Sequence, residues 1–336
     1  HLKIGRILLN HRDENKDIRI FDIVGHFNKG KELIAEAAEK QRLIDLNFEA
    51  GIRAKKSSAF EPAFEYFNVA LNILPENAWH NDYEFTLKVY NEAAEMAYLS
   101  VRTAELEKYT KAILANAKTV LDTLNAYVVL IAFYGSQGEL EKSIQKGFEI
   151  LDKLDVKIPR KPNKLHIIVQ LIKTKIRLKG KTADDLFALP QMESEQYKAA
   201  MSVLSIVTGP SYIANSNLFV LIVFKMIELS YTHGNNRFTS FGYAVYGMVL
   251  AGMMDLDGVK MYTELSRRLL ESYPEDEQFS KVNYCLLTLD FQHGSIHNSQ
   301  KLMFPNIQKG FDSGDFLYAS YSVAFYTLYK VYGNYP

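Results

Sequence analysis

The residues best suited to phosphate chemistry lie in the segment Gly25–Glu32. Its two glycines and its lysine match the spacing of a phosphate-binding loop. The position after the lysine requires a hydroxyl to hold magnesium, whereas Glu32 brings a negative charge toward the phosphate. The overlapping run Asp17–Phe27 has the spacing of a helix that places Ile20 and Phe27 on one face. We therefore favour a helix that ends near residues 28–30 over a nucleotide site.

The single cysteine, Cys285, has two histidines downstream, His293 and His297, so a Cys-His nucleophile must be considered. Such a nucleophile needs an orienting third group, which the sequence does not supply, and Cys285 lies in the apolar run Tyr284–Leu287. We therefore predict a buried, unreactive thiol. The histidines have the four-residue spacing of metal ligands, but Gly294 interrupts them and no carboxylate accompanies them, so we predict no metal site there.

An acidic segment, Asp255–Gly258, resembles the opening of a calcium-binding loop. The later acidic position and the distant bidentate glutamate of such a loop are missing from the sequence. We therefore predict a turn or a helix cap at Asp255.

One stretch is strongly basic. Residues 153–181 hold ten lysines and arginines against the single Asp155, a local net charge of +9, whereas the whole chain balances 39 basic against 39 acidic residues. A phosphate-bearing ligand, a nucleic acid or an acidic protein face could dock there, with binding that weakens as salt is added. The alternative, which we favour, is a solvated helix face that keeps the protein soluble. The candidate interaction residues are Arg160, Lys161, Lys164, Lys173, Lys175, Arg177 and Lys179.

Helices must position these residues. Apolar residues recur at three- and four-residue spacing in almost every segment, and strand-like alternation is scarce, so we predict an all-α fold. Short breakers divide the chain into helices of about 15 to 20 residues, the size of helical hairpins. The predicted breakers are residues 57–58, 75–77, 136–138, 159–162, 209–210, 234–236, 274–276 and 313–315.

The composition is that of a globular protein: 48% of the residues are hydrophobic and 23% are charged, which argues against disordered and low-complexity classes. A single cysteine forms no internal disulfide, so we expect a reducing compartment and a cytoplasmic protein. The first residues lack the apolar region of a signal peptide, and a start at His1 rather than Met predicts a fragment. The uncharged run Phe238–Met254 is too short for a membrane span, so we predict a buried helix.

Tetratricopeptide-like packing is predicted from Asn47 to Pro75. The first helix of this segment carries Ala50 and Gly51, and the second carries Phe67. Small residues let paired helices approach closely while the aromatic ring fills the gap to the neighbouring repeat. Looser copies of the pattern follow at residues 94–113, 127–150 and 247–266.

Three stretches together resemble a known family: Ile20–Gly30, Ala63–Pro75, and Gly209–Phe219 followed by Phe241–Gly247. They are similar to the long helical region that follows the STAND-type AAA ATPase module in very large bacterial signalling proteins. In such proteins a Ser/Thr kinase-like domain often precedes the ATPase, and a GAF domain and a histidine kinase often follow the helices. The resemblance covers nearly the whole chain. No catalytic residue of the family can be carried over, because this chain has no intact phosphate loop, kinase loops or phosphoacceptor histidine motif.

The resemblance implies an α-α superhelix of tetratricopeptide-like hairpins over residues 41–336, preceded at residues 1–40 by helices that join it to an ATPase module. It implies a non-catalytic regulatory module without a cofactor, which binds the neighbouring ATPase or kinase modules or a separate protein. A small ligand in the concave groove is a further possibility, and no membrane is expected as a partner. The second hypothesis, from another class, is a binder of phosphate-bearing ligands or nucleic acid through residues 153–181. Within Tyr212–Phe219 we predict a non-helical turn between helices, where residues 215–217 would break a helix, and we interpret it as a feature that shapes the structure.

Overall fold

The computed structural model describes residues 1–10, 20–273, 278–293 and 296–333, with the backbone alone at 291–293, 296–300 and 332–333. Within these ranges the regular elements are helices and no β-strand occurs, which confirms the all-α prediction. The chain divides into two compact units, His1–Val129 and Leu130–Pro336. The predicted boundary at residue 40, between the N-terminal joining helices and the repeat array, stays a prediction.

In residues 1–10 and 20–129, the described part of the first unit, there are seven α-helices and the start of an eighth. Helices α1 to α7 are Leu2–Asn10, Ile20–Lys29, Ala37–Lys56, Phe60–Ile73, Ala78–Asn81, Tyr83–Leu99 and Thr103–Asn116. Helix α8, Leu124–Ser136, includes the residue at which the two units divide.

The described residues of the second unit form the end of α8 and ten further α-helices. Helices α9 to α13 are Leu140–Lys153, Lys164–Leu178, Ala183–Phe187, Glu195–Ala214 and Ser216–His233. Helices α14 to α18 are Thr239–Gly252, Leu256–Glu271, Phe279–His293, Ile296–Ser313 and Phe316–Gly333.

Helices α3 and α4 form the hairpin that the small and aromatic residues predict. Ala50 and Phe67 are completely buried. The Phe67 ring lies so close to Gly51 that a Cβ added there would be 2.6 Å from Phe67 Cε1. The predicted close approach of these two helices is therefore confirmed, whereas its tetratricopeptide-like character stays a prediction. The superhelical arrangement of successive hairpins stays a prediction.

The later copies of the pattern also contain close helix contacts. Helix α9 packs against α12, and a Cβ added at Gly147 would lie 2.3 Å from Val207 Cγ2. Ser143, also on α9, donates a hydrogen bond of 2.8 Å to the Ile131 carbonyl oxygen. Helices α14 and α15 pack as a hairpin. Small residues thus set close helix approaches in both units.

One predicted breaker is wrong. Helix α12 continues through Gly209 and Pro210 to Ala214, and Pro210 is buried within it. Proline removes one backbone donor from a helix, but the surrounding packing can tolerate that loss. The break falls instead at Asn215, whose side-chain oxygen accepts a hydrogen bond of 3.1 Å from the Leu218 N–H and caps α13. The predicted non-helical turn between helices within Tyr212–Phe219 is therefore confirmed at Asn215, and the residues on both sides of it are helical.

The other predicted breakers lie between helices or begin at the last residue of one, except residues 274–276, which fall outside the described residues. The uncharged run predicted as a buried helix corresponds to α14, nearly all of whose residues are buried, which confirms that prediction. Across the described ranges, no helix is both long enough and apolar enough to cross a bilayer.

Candidate functional site

The segment that contains Gly25 is helical up to Lys29, as predicted. Gly25 lies inside α2, which ends at Lys29, and this confirms the predicted helix end. A phosphate-binding loop must present free backbone N–H groups to its ligand. Because the residues around Gly25 adopt a helix, their N–H groups point toward the carbonyl groups of the preceding helical turn instead.

The Cys285 thiol is buried on α16, with 2% of the residue exposed, which confirms the predicted burial. Burial raises the pKa of this thiol to about 12, so the reactive thiolate is scarce at neutral pH. The predicted absence of a metal at His293 and His297 falls outside the described residues, because the side chains of both histidines are not described.

Asp255 is a helix cap, as predicted. Its Oδ1 accepts a hydrogen bond of 3.0 Å from the Gly258 N–H at the start of α15. Among the residues that the structure describes, no three histidine, cysteine, aspartate or glutamate side chains are grouped as metal ligands would be. The carboxylate therefore has a structural role in the described fold.

The seven candidate basic residues lie on and around α10, which the structure places in the second unit. Four of them are on the helix itself, Lys179 follows its last residue, and Arg160 and Lys161 are in the loop before it. Arg160 forms an ion pair with Asp152. The others, apart from Arg177, form no ion pair within the described part of the chain: Lys161, Lys164, Lys173, Lys175 and Lys179.

Helix α10 has a well-defined start. The Asn163 side-chain oxygen accepts a hydrogen bond of 3.1 Å from the His166 N–H, and His166 Nδ1 accepts one of 3.3 Å from the Asn163 N–H. This reciprocal pair is a capping box, which satisfies two backbone donors that a helix start leaves without partners. The helix packs against α13, with Thr174 and Leu178 buried.

The outward face of α10 is apolar. Its side chains recur at three- and four-residue spacing, which places them in one strip along the helix. Five aliphatic residues, which we call the apolar stripe, have between 43% and 68% of their surface exposed: Leu165, Ile168, Val169, Ile172 and Ile176. The helix therefore presents to solvent the kind of face that helices normally bury.

Cations border the apolar stripe on both sides. Successive helical residues are rotated by about 100°. This rotation puts Lys164 and Lys175 along one margin of the stripe and Lys173 and Arg177 along the other. Such an arrangement combines an apolar contact strip with two rows of positive charge.

A groove between α10 and α13 follows the margin that contains Lys173. It consists of two clefts of about 300 Å³ each, and both are lined by Gln170, Lys173 and Lys225. Leu165 and Val169 of the apolar stripe also line one of these clefts. The exposed stripe therefore continues into a concave surface.

Glu228 on α13 supplies a carboxylate to this groove. Its Oε2 accepts hydrogen bonds from Gln170 Nε2 at 3.1 Å and from Lys225 Nζ at 3.0 Å. Arg177 NH1 lies 3.6 Å from Glu228 Oε1. Because Lys173 adds a further positive charge, the cations outnumber the carboxylate along the groove.

The cations of this surface were predictable from the sequence, whereas the stripe and the groove were not. The segment Lys164–Leu178 has apolar residues on several sides, including Ile167 and Leu171, so periodicity cannot tell which face is buried. Gln170 and Glu228 are 58 residues apart in the chain, and no local pattern connects them. The one available signal was the dense mixture of lysine and isoleucine in α10.

No protein-family model matches this chain. The chain is similar to the hybrid signal transduction histidine kinase G of Dictyostelium discoideum, with 23% identity over 378 residues. The similarity covers 98% of this chain but 11% of the kinase, so the chain spans about a tenth of that protein. This similarity supports a relationship to signalling proteins.

Proposed function

We propose that this chain is a non-catalytic protein-interaction and regulatory module of a multidomain signalling protein. The observation that carries the proposal is the apolar stripe of α10, exposed and bordered by cations. Burying an aliphatic side chain of this size stabilises a protein by about 1.5 to 3 kcal/mol. Five half-exposed aliphatic residues on one helix leave much of that free energy available to a partner.

The character of the stripe separates this function from a simple solubilising surface, the interpretation that the sequence favoured. A face that only keeps a protein soluble is expected to carry charged and polar residues. Leu165 and Ile172 instead lie at the centre of the outward face, with the cations at its margins. A hydrophobic centre with a polar rim is the usual organisation of protein interfaces.

The regulatory part of the proposal rests on the similarity to a signal transduction histidine kinase and on the resemblance to helical regions beside ATPase modules. In this proposal the chain binds a neighbouring kinase or ATPase module and restrains or releases it. A tetratricopeptide-like superhelix could transmit such a change through small adjustments at many helix contacts. A cytoplasmic, bacterial setting belongs to the same proposal.

The second candidate function is the binding of a phosphate-bearing ligand or nucleic acid. The observation in its favour is the set of lysines that form no ion pair within the described ranges, among them Lys173 and Lys175. It explains the cations but gives no role to the aliphatic stripe between them. Its distinguishing result is salt-dependent capture of a polyanion that survives replacement of Ile172 by a polar residue.

The test is isothermal titration of the purified chain with the remaining modules of its parent protein, expressed separately. The double variant Ile168→Asp/Ile172→Asp should bind at least about tenfold more weakly, because two carboxylates would be buried at the contact. Ile213→Asp is the matched control, since Ile213 is 60% exposed on another helix. Unchanged binding by the double variant would refute the proposed function.

A further inference from the structure

We propose that the occupant of the α10 surface is an acidic amphipathic helix, which lies along the apolar stripe with carboxylates on the cations at both margins. This inference deepens the proposed function and rests on it. It assigns to the surface a class of partner, a contact geometry and an internal competitor, Glu228.

The spacing of the stripe suits a helical occupant. Leu165, Ile168 and Ile172 follow each other at three and four residues, and Ile176 continues the series. A partner helix with its own apolar residues at that spacing can place them between these side chains. Helix α10 has 15 residues and is therefore about 22 Å long, so about 15 residues of the partner would cover it.

The charges at the margins determine the sign of the charge that the partner should carry. Lys164 and Lys175 stand on one side of the stripe and Lys173 on the other, and none of the three has an ion-pair partner among the described residues. A helix that covers the stripe brings its own flanking positions next to both rows. Carboxylates there would pair with the lysines, whereas lysines there would be repelled.

The groove favours a protein segment over a membrane. The two clefts beside the stripe have volumes of about 300 Å³ each, which side chains of a docked helix can enter. Helices that lie in the membrane interface carry tryptophan, phenylalanine or leucine on the apolar face, and of these the apolar stripe contains the single Leu165.

The same segment is poorly suited to nucleic acid. Single-stranded nucleic acid binds to aromatic side chains on which bases stack, and α10 has no phenylalanine, tyrosine or tryptophan. A phosphate backbone on the two lysine rows would cross the aliphatic stripe and leave Ile168 and Ile172 without an apolar contact. An acidic helix satisfies both the rows and the stripe.

Substitution of Glu228 provides a test in which binding should become tighter rather than weaker. Its carboxylate holds Lys225 at 3.0 Å and lies 3.6 Å from Arg177, so it partly neutralises the groove that would receive the partner's carboxylates. Glu228→Gln keeps the size of the side chain and removes its negative charge. An acidic helix should therefore bind this variant more tightly than the wild type.

The experiment measures fluorescence anisotropy of a labelled acidic peptide of about 15 residues, with leucines at three- and four-residue spacing and glutamates beside them. Lys173→Glu/Lys175→Glu should weaken its binding about tenfold or more, and Glu228→Gln should strengthen it. Lys111→Glu, at an exposed lysine of α7, is the matched control for a change of charge and should have no effect. Binding should also weaken as salt is added.

The charge-inverted peptide, with lysines in place of glutamates, completes the design. It should bind Lys173→Glu/Lys175→Glu in preference to the wild type, a rescue that an unfolded variant could not give. Binding of both peptides with equal affinity would overturn the acidic character of the partner. Stronger capture of vesicles of phosphatidylcholine and phosphatidylserine, or of a single-stranded oligonucleotide, than of the acidic peptide would overturn the choice of a protein helix.

Two outcomes separate this inference from the proposed function. If the parent's modules bind through Ile168 and Ile172 but the acidic peptide neither binds nor competes with them, the function stands and the acidic-helix inference is wrong. If the Ile168→Asp/Ile172→Asp variant still binds those modules normally, the proposed function is wrong and the inference falls with it.

Discussion

The α3–α4 hairpin and helix α10 both carry apolar residues at helical spacing, but these residues are buried in the hairpin and exposed on α10. On α4 the Phe67 side chain is completely buried because Gly51 of α3 leaves space for its ring. On α10 the Ile172 residue is 52% exposed because the helix packs through its opposite face. An apolar residue at helical spacing therefore becomes core only where another element of the chain offers a matching surface.

The hairpin and α10 also differ in the charged residues beside their apolar side chains. The hairpin has its apolar contact sealed between two helices, whereas the α10 stripe lies between two rows of lysine and arginine. In the hairpin the packing is complete within the chain. For α10 the proposed partner would supply the complementary surface, and the cations specify the charge that this surface should carry.

The largest predicted effect compares the two regions by truncation. Phe67→Ala should lower the free energy of unfolding by about 3 to 5 kcal/mol, because it removes a fully buried ring and leaves a cavity. Ile172→Ala should change it by about 0.5 kcal/mol or less, because the side chain is already half in water. Urea unfolding followed by circular dichroism measures both. A cost for Ile172→Ala close to that of Phe67→Ala would show that the stripe is packed.

A smaller effect compares two helical glycines. Gly147→Ala should destabilise the protein by about 1 to 2 kcal/mol, because the new Cβ would lie 2.3 Å from Val207 Cγ2. Gly25→Ala, on α2, meets no atom within 4 Å and should stabilise it by up to about 1 kcal/mol through helix propensity. Thermal unfolding of the two variants measures the opposite signs. Stabilisation by both would show that the α9–α12 contact is looser than the structure describes.

The smallest predicted effect concerns pH and α13, whose last residue, His233, stacks on Tyr197 with 3.7 Å between ring centroids. Burial lowers the pKa of His233 below its ordinary value of 6.5. The unfolded state then binds the proton more readily, so stability should fall as the pH falls below about 6.5. His233→Gln should flatten this part of the profile in urea titrations at several pH values. An unchanged slope would assign the dependence to other groups.

Much of the fold could be predicted from local patterns. The small residues Ala50 and Gly51 signalled a close helical hairpin, whereas the contact of the Phe67 ring with Gly51 is visible only in the structure. The same kind of reasoning failed at Pro210, because a proline weakens a helix locally while the packing of the whole segment decides whether the helix continues. Asn215, a strong capping residue, was the better sign of the break.

The candidate surface was predictable only in its charge. Lysines such as Lys173 and Lys175 are visible in any count of residues, and they were named from the sequence. The exposure of Ile168 and Ile172 depends on which face of α10 meets α13, which is a property of the tertiary structure. Glu228 belongs to another helix and reaches the groove only after folding.

The most direct test of the central claim measures how accessible the stripe is in the intact parent protein. Ile172→Cys adds a thiol at the centre of the stripe, and the native Cys285 contributes little background because it is buried. The rate of alkylation of this thiol can be compared between the isolated chain and the parent. Adding Ile168→Asp to the parent provides the control, since it should release the occupant and restore the faster rate.

We predict rapid alkylation of Ile172→Cys in the isolated chain and at least about tenfold slower alkylation in the parent, because a docked segment would cover the thiol. Equal rates in the two proteins would contradict the account, since the apolar stripe would then remain exposed where its partner should be present.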